Sequence, residues 1–227
     1  TTIANLAVQD SADTNFQQFL PTVIDYAEQR IYRETDLLST VTRQTGSLSV
    51  GTRTFNLPTT NGRFVVTNGI NVITPYTVLT PDQGTRNQMV PVSRDVIDAL
   101  WPSTLNAGTC TRYAMITDQQ IIVGPSPVSA YTVEVIGTIR PTPLSAANPT
   151  TYLTLYLPDL FVAASMIEMS AYMRNFSAAS DDPKMSVSYE SQYQTLFAST
   201  NVEEQRKRYS SGAWGSLSPT PIATPSR

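Results

Sequence analysis

The chain is predicted to fold as α+β, with a helical bundle of three long helices, an inserted antiparallel β barrel or sandwich, and an extended C-terminal arm. Three observations predict this. Apolar residues recur at helical spacing once near the N-terminus and twice in the C-terminal third. Between them lies a middle region of β-branched residues punctuated by turn formers. The final stretch, SSGAWGSLSPTPIATPSR, is dominated by Ser, Pro, Gly and Thr. The expected organisation is a helical bundle domain from 1–43 and 141–209, a β insertion over 44–140, and an arm over 210–227.

The first helix is expected from Asn15 to Leu38. Phe16, Leu20, Val23, Ala27, Ile31 and Leu38 make an apolar stripe, and Asp25, Glu28, Arg30, Arg33 and Glu34 fall on another face. Pro21 suits the first turn of its main body, after a short turn begun by Asp13 or Thr14. Leu48, Val50, Phe55 and Leu57 alternate around Gly51-Thr52 and predict a hairpin. The Val- and Ile-rich segment Arg63 to Thr74 predicts a strand bulged near Asn68-Gly69 and closed by Pro75. After a turn-rich loop from Leu79 to Gln88, Ser93 is placed to cap a short helix, Arg94 to Leu100. Strands follow at Arg112 to Thr117 and Gln119 to Val123, turning at Asp118, and at Tyr131 to Arg140.

Two further helices are expected near the C-terminus. One starts at Pro158-Asp159; Leu160, Phe161, Ala164, Ile167, Met169, Ala171 and Met173 make it apolar nearly all round, as in a buried helix. Asp181 or Asp182 before Pro183 is a start signal for the last, which runs to about Tyr209 with Met185, Tyr189, Tyr193, Leu196 and Phe197 inward and Gly212 at its end. The basic run Arg206, Lys207, Arg208 falls where a helix dipole favours cations.

Composition narrows the chemistry. There is no histidine, which removes the commonest general base and zinc ligand, and a single cysteine, Cys110, which excludes an internal disulfide framework. The formal net charge is -3, so no global basic field is available to grip phosphates. Arginine far outnumbers lysine, present only as Lys184 and Lys207; interface use and genomic codon bias explain this equally well. Apolar runs such as Leu160 to Ala164 are too short to cross a bilayer, and a soluble, non-secreted protein without membrane partners is expected.

No Walker loop, GxGxxG, HExxH, GxSxG or CxxC spacing occurs. The carboxylate pairs Asp95 with Asp98 and Asp181 with Asp182 are the nearest candidates for a cation or a shared proton, although capping accounts for the second pair better. A carboxylate hydrolase built from Glu134, Asp118 or Asp95 would need two of these to face each other across a cleft. No catalytic, cofactor or metal residue is therefore assigned. The tyrosines Tyr152, Tyr156, Tyr172, Tyr189 and Tyr193 suit a mixture of helical core and subunit interface. In the arm, Trp214, Leu217 and Ile222 are spaced as separate apolar anchors, and Pro219 and Pro221 keep the backbone extended. This composition cannot bury enough surface to order by itself, so the arm is expected to dock on a neighbouring subunit or a partner, with packing on its own domain as the plainer alternative.

Five segments together resemble the head-to-tail adaptor proteins of short-tailed-type bacteriophages. They are IDYAEQRIYRETDLL (Ile24 to Leu38), TGSLSVGTRTFNLP (Thr45 to Pro58), VEVIGTIRPTPLS (Val133 to Ser145), LPDLFVAASM (Leu157 to Met166) and DDPKM (Asp181 to Met185), joined by the terminal LSPTP. The resemblance implies a noncatalytic virion protein, a dodecameric homo-oligomer ring between the portal protein and the tail nozzle protein, through which double-stranded DNA passes without sequence-specific contact. A binding module of the phage surface or tail, gripping a glycan or receptor through exposed aromatics on β loops, is the alternative.

Overall fold

The computed structural model describes residues 2–7, 10–173 and 183–211, without the side chains of 171–173, 183–186, 210 and 211. The expectations on Asp181, Asp182 and Gly212, and on the side chains of Ala171, Tyr172, Met173 and Met185, lie outside these. The elements are α1 (Thr2–Leu6), α2 (Thr14–Glu34), β1 (Val41–Leu48), β2 (Thr54–Asn56), β3 (Gly62–Thr74), β4 (Thr85–Gln88), β5 (Val90–Pro91), α3 (Arg94–Leu100), β6 (Ala107–Gly108), β7 (Arg112–Thr117), β8 (Gln120–Gly124), β9 (Ser126–Pro127), β10 (Tyr131–Pro141), α4 (Tyr152–Tyr156), α5 (Pro158–Met173) and α6 (Pro183–Ser211), with 3-10 turns at Leu38–Thr40 and Pro81–Gln83. The class is α+β. Among the described residues three of the α-helices are long and three are short.

The chain divides into two compact units, one drawn from Thr1–Leu38 and Pro143–Arg227, the other from Ser39–Thr142. In the helical unit α5 packs against both α2 and α6. Ala27 and Ile31 of α2, Leu153 of α4, Leu160, Phe161 and Ala164 of α5 and Tyr193 of α6 form one apolar cluster. A second cluster joins Ala4 of α1 and Phe16 and Val23 of α2 to Met166 and Met169 of α5. α5 is apolar on both sides because it is covered on both sides.

α2 departs from its sequence reading in three ways. It is one continuous helix from Thr14, capped by the Asp13 carboxylate accepting the Asn15 N–H at 2.9 Å, and Pro21 sits in its interior and not in a first turn. It ends at Glu34, because Thr35 is extended, and Leu38 belongs to the following turn. Glu28, expected on the polar face, is buried at 3% exposure, since the Leu144–Thr151 connector lies over it and donates the Leu144 N–H to its carboxylate at 3.0 Å.

In the β unit two four-stranded sheets run in the orders β1-β10-β3-β4 and β2-β8-β7-β5, with a two-stranded β6-β9 pair. Their facing side chains, among them Leu48, Ile70, Val72, Val133 and Val135 of the first sheet and Phe55, Tyr113, Ile121 and Val123 of the second, share one core. Neither sheet closes, so the barrel expectation is corrected to open sheets. The β5–β7 and β6–β9 pairs are parallel, so the unit is not wholly antiparallel.

The hairpin around Gly51-Thr52 is also corrected: β1 pairs with β10 and β2 with β8, so the turn carries the chain from one sheet to the other. Gly51 has φ +71°, which favours glycine there. The bulge near Asn68-Gly69 is borne out. Ile136 faces Gly69 while Gly137 faces Thr67, leaving Asn68 as the extra residue, and a second shift leaves Val65 unpaired. α3 has its expected bounds, yet the Ser93 side chain makes no capping bond.

Candidate functional site

Of the carboxylates nominated for chemistry, Glu134, Asp118 and Asp98 are each paired with arginines, and Asp95 is exposed on α3. Glu134 projects from β10 on the side opposite the core residues Val133 and Val135, where alternation alone would leave it in solvent. It is nevertheless 0% exposed. Asn71 Nδ2 of β3 donates to it at 2.8 Å and Arg86 Nε of β4 at 3.0 Å, while Arg43 Nη1 of β1 stands 3.4 Å away. Asp82 closes the outside of this cage, 2.7 Å from Arg86 and 3.1 Å from Arg43, and both hydrogen bonds hold its carboxyl below the usual range, Arg86 foremost. Four strands and a turn therefore converge on one buried negative charge whose oxygens are occupied.

Asp118, in the β7–β8 turn, is paired with Arg63, and Asp98 is paired with Arg53 and Arg94. Arg63 and Asn71, the partners of Asp118 and Glu134, are eight residues apart on β3, which spans about 25 Å at about 3.3 Å per residue. Glycoside hydrolysis needs carboxylates within about 5 to 10 Å of each other. Glu134 and Asp118 thus do not form the hydrolase arrangement, and no group of three metal-ligating side chains occurs among the described residues. The lone thiol, Cys110, is buried and pushed up to about 12 by desolvation, which makes it a poor nucleophile at neutral pH.

In the helical unit, charges fasten α6 to α2. Arg30 reaches Glu190 through two bonds of 2.8 and 2.7 Å and lies 4.3 Å over the Tyr193 ring, whose hydroxyl donates to Glu34 at 2.6 Å. The Arg30 hydrogen bonds hold Glu190 below its ordinary value, and burial leads the causes that raise Tyr193. Further along, Glu204 accepts the Leu38 N–H at 2.8 Å and Lys207 at 2.8 Å, while Arg208 pairs with Asp36 at 2.6 Å and lowers its carboxyl. Lys207 and Arg208 therefore have specific partners beyond the helix dipole. Arg30, Arg43, Arg53, Arg63, Arg86, Arg94 and Arg208 all serve ion pairs within the chain, a use of arginine weighed neither as interface nor as codon bias.

Aromatic display is sparse in the β unit. Tyr76 is its one exposed large aromatic; the other exposed tyrosines among the described residues, Tyr26, Tyr156 and Tyr209, lie on helices. No aromatic platform for a glycan exists on its loops. The anchors Trp214, Leu217, Pro219, Pro221 and Ile222 lie outside the described residues.

Sequence reasoning missed a different surface. Three loops meet at one end of the β unit: Gly51 N–H donates to Pro127 O at 2.9 Å, Ser126 N–H to Asn106 O at 3.1 Å, and Val128 N–H to Gly108 O at 3.2 Å. They hold out Leu105 at 89% exposure, Val50 at 60% and Val128 at 53%. No Asp, Glu, Lys or Arg occurs in 49–52, 102–111 or 125–130, although 15% of the chain is charged. The missing charge was visible in the sequence; the convergence was not.

With no catalytic constellation assembled among the described residues, comparison with known families decides the class. The family model described as SU10 adaptor protein matches residues 1–219. The chain belongs to the SU10 adaptor protein family. No curated protein matches it. The SU10 adaptor family is one of structural phage adaptors and not of enzymes, in agreement with the head-to-tail adaptor resemblance. No helix among the described residues is long and apolar enough to cross a membrane.

Proposed function

We propose that this SU10 adaptor family member forms a ring, a dodecamer by family resemblance, that joins the portal protein to the tail nozzle protein at the head–tail interface of the virion. Double-stranded DNA passes through its centre. The family match over residues 1–219 carries this reading. In it, the helical part and the arm over 210–227 face the portal, and the β part faces the tail. A ring needs repeated interfaces, and arms that reach between subunits supply them without enlarging each domain. The net charge of -3 suits a conduit, because acidic side chains facing a lumen repel the phosphates and let DNA move without adhering.

Deleting Ser210 to Arg227 tests the arm directly. Co-purification with the portal ring is expected to fall, and unchanged co-purification removes the arm from the mechanism. Within the arm, Trp214→Ala is expected to weaken docking by roughly 2 to 4 kcal/mol, as for a buried aromatic anchor. Titration calorimetry against isolated portal rings reads this, and a neutral result shifts the anchor to Leu217 or Ile222.

A further inference from the structure

We infer that the free edge of β1 takes residues 218–226 of a neighbouring copy as an added strand, joined by main-chain hydrogen bonds. This rests on the ring reading above only for which copy donates the segment; Trp214 and Leu217, which precede it, keep the portal-facing role given there.

The receiving edge is the first ground. Among the described residues β1 pairs on one side only, with β10, so along its eight residues the outer N–H and C=O groups meet no strand. The other edges of the two four-stranded sheets, β2, β4 and β5, are only three, four and two residues long. Long edges are commonly blunted by lysine or proline, and β1 contains neither. Its one charged side chain, Arg43, is taken up by Glu134 and Asp82. Beside this edge lies a cavity of about 370 Å³ whose lining, Thr45, Ser47, Thr54 and Asn56 included, is wholly uncharged. Gln44, on the face of β1 that carries the core residue Leu48, is 5% exposed, and both of its amide atoms are buried without a hydrogen-bond partner. Such an amide lacks an acceptor and a donor, and the main chain of an added strand supplies both.

The segment is the second. In an extended chain successive residues turn to opposite sides. Pro219, Pro221 and Pro225 share one side, where Ala223 keeps the one N–H, while Ser218, Thr220, Ile222, Thr224 and Ser226 present theirs on the other. Each proline also biases the residue before it towards the extended form. A strand that can bond along one side only suits the last place in a sheet, where proline turns its missing N–H to solvent. Its nine residues span about 30 Å and the eight of β1 about 26 Å, at about 3.3 Å per residue. No charged residue occurs from 212 to 226, so no ion loses its water when the segment meets the uncharged cavity.

Symmetry is the third. The segment and the edge are unlike surfaces, so the contact is heterologous: each copy donates to the next and receives from the one before, as in a ring. Residues 212–217 separate the segment from Ser211 at the end of α6 and reach about 20 Å when extended, which lets it leave its own chain.

The test compares the full chain loaded onto portal-bearing heads of the same phage with the dilute chain in solution, loading being read by sedimentation and amide exchange by mass spectrometry. Wild-type exchange within Val41–Leu48 is expected to be at least about tenfold slower on the heads. Thr220→Pro/Thr224→Pro removes two N–H groups from the bonding side and should abolish that slowing. Ala223→Pro adds a proline on the solvent side and should keep it within about twofold. All three positions lie beyond α6, so each variant should keep the wild-type circular dichroism. A photo-cross-linking residue at position 222, in an equal mixture of isotopically light and heavy chains on the heads, should join light to heavy chains through 41–48. No slowing in the wild type, slowing that survives Thr220→Pro/Thr224→Pro, slowing lost equally with Ala223→Pro, or cross-links only within single chains overturns the inference while leaving the adaptor reading intact. A wild-type chain that does not load on portal-bearing heads overturns the adaptor reading itself.

Discussion

Glu134 shows how a side chain that looks catalytic in sequence can be wholly structural. Its two oxygens are shared among Asn71, Arg86 and Arg43, so it neutralises guanidinium groups from two strands and accepts from an amide on a third. Removing one member of a buried ion pair costs more than the pair contributes, because the remaining charges lose their partner. Glu134→Ala is expected to destabilise the β unit by about 2 to 3 kcal/mol, below the value for a fully buried pair since both arginines are half exposed. A lowered urea midpoint measures it. Glu28 poses the opposite case. Burial leads the causes that raise its pKa, opposed by the Leu144 N–H, so the charged form is disfavoured in the folded state. A raised carboxyl favours folding most below its ordinary value of 4.5 and loses that advantage as pH climbs through the folded value. Glu28→Gln, which keeps an acceptor for Leu144, is therefore expected to stabilise the chain at pH 7 and to lose this gain below about pH 4.5. Paired thermal melts at the two pH values check it. Asp36 and Glu190, held low by Arg208 and Arg30, act the other way: their contribution is full above their ordinary values and fades as pH falls through the lowered ones.

Among the elements, the helices and the long strands were legible because each carries a period of its own. α3 and α5 begin at the residues their start signals mark, and the extra residue at Asn68 was readable from a glycine inside a Val/Ile run. Pairing was less legible. The turn at Gly51 looks like a hairpin locally, yet two flanking strands can always be shared between two sheets, and only the core they cover decides which. The bulge has a further consequence at Gly137 of β10, where an added Cβ would run into the Val66 carbonyl and stand 3.0 Å from Thr67 Cα. Backbone cannot give way as a flexible side chain can. Gly137→Ala is expected to cost about 1 to 3 kcal/mol and to shift hydrogen exchange first in β3 and β10. In α2, by contrast, Pro21 has no N–H to donate to the Gln17 carbonyl on an exposed face. Pro21→Ala restores it and is expected to stabilise the helical unit by about 1 kcal/mol or more, read as a higher melting temperature.

At the scale of the whole molecule, the chain has no histidine, and its converging carboxylates, Glu134 with Asp82 and Glu34 with Glu190, are held by arginines. Arg30, Arg43, Arg53, Arg63, Arg86, Arg94 and Arg208 pair with carboxylates of their own units, fastening α6 to α2 and bracing one sheet around Glu134. Measurement of mass for the isolated chain beside images of the particle is expected to show a monomer alone and a ring in place. A stable ring of the isolated chain would mean that no partner is needed to order it.

The sequence by itself determined the α+β class, the long helices, the exclusion of histidine chemistry and of an internal disulfide, and the family. Each depends on composition or on a period within one segment. Tertiary structure alone decided that the sheets stay open, that Glu28 is buried, that Glu134 is caged, and that three charge-free loops share one end. Those outcomes depend on which residues distant in the chain become neighbours, and no local period encodes that.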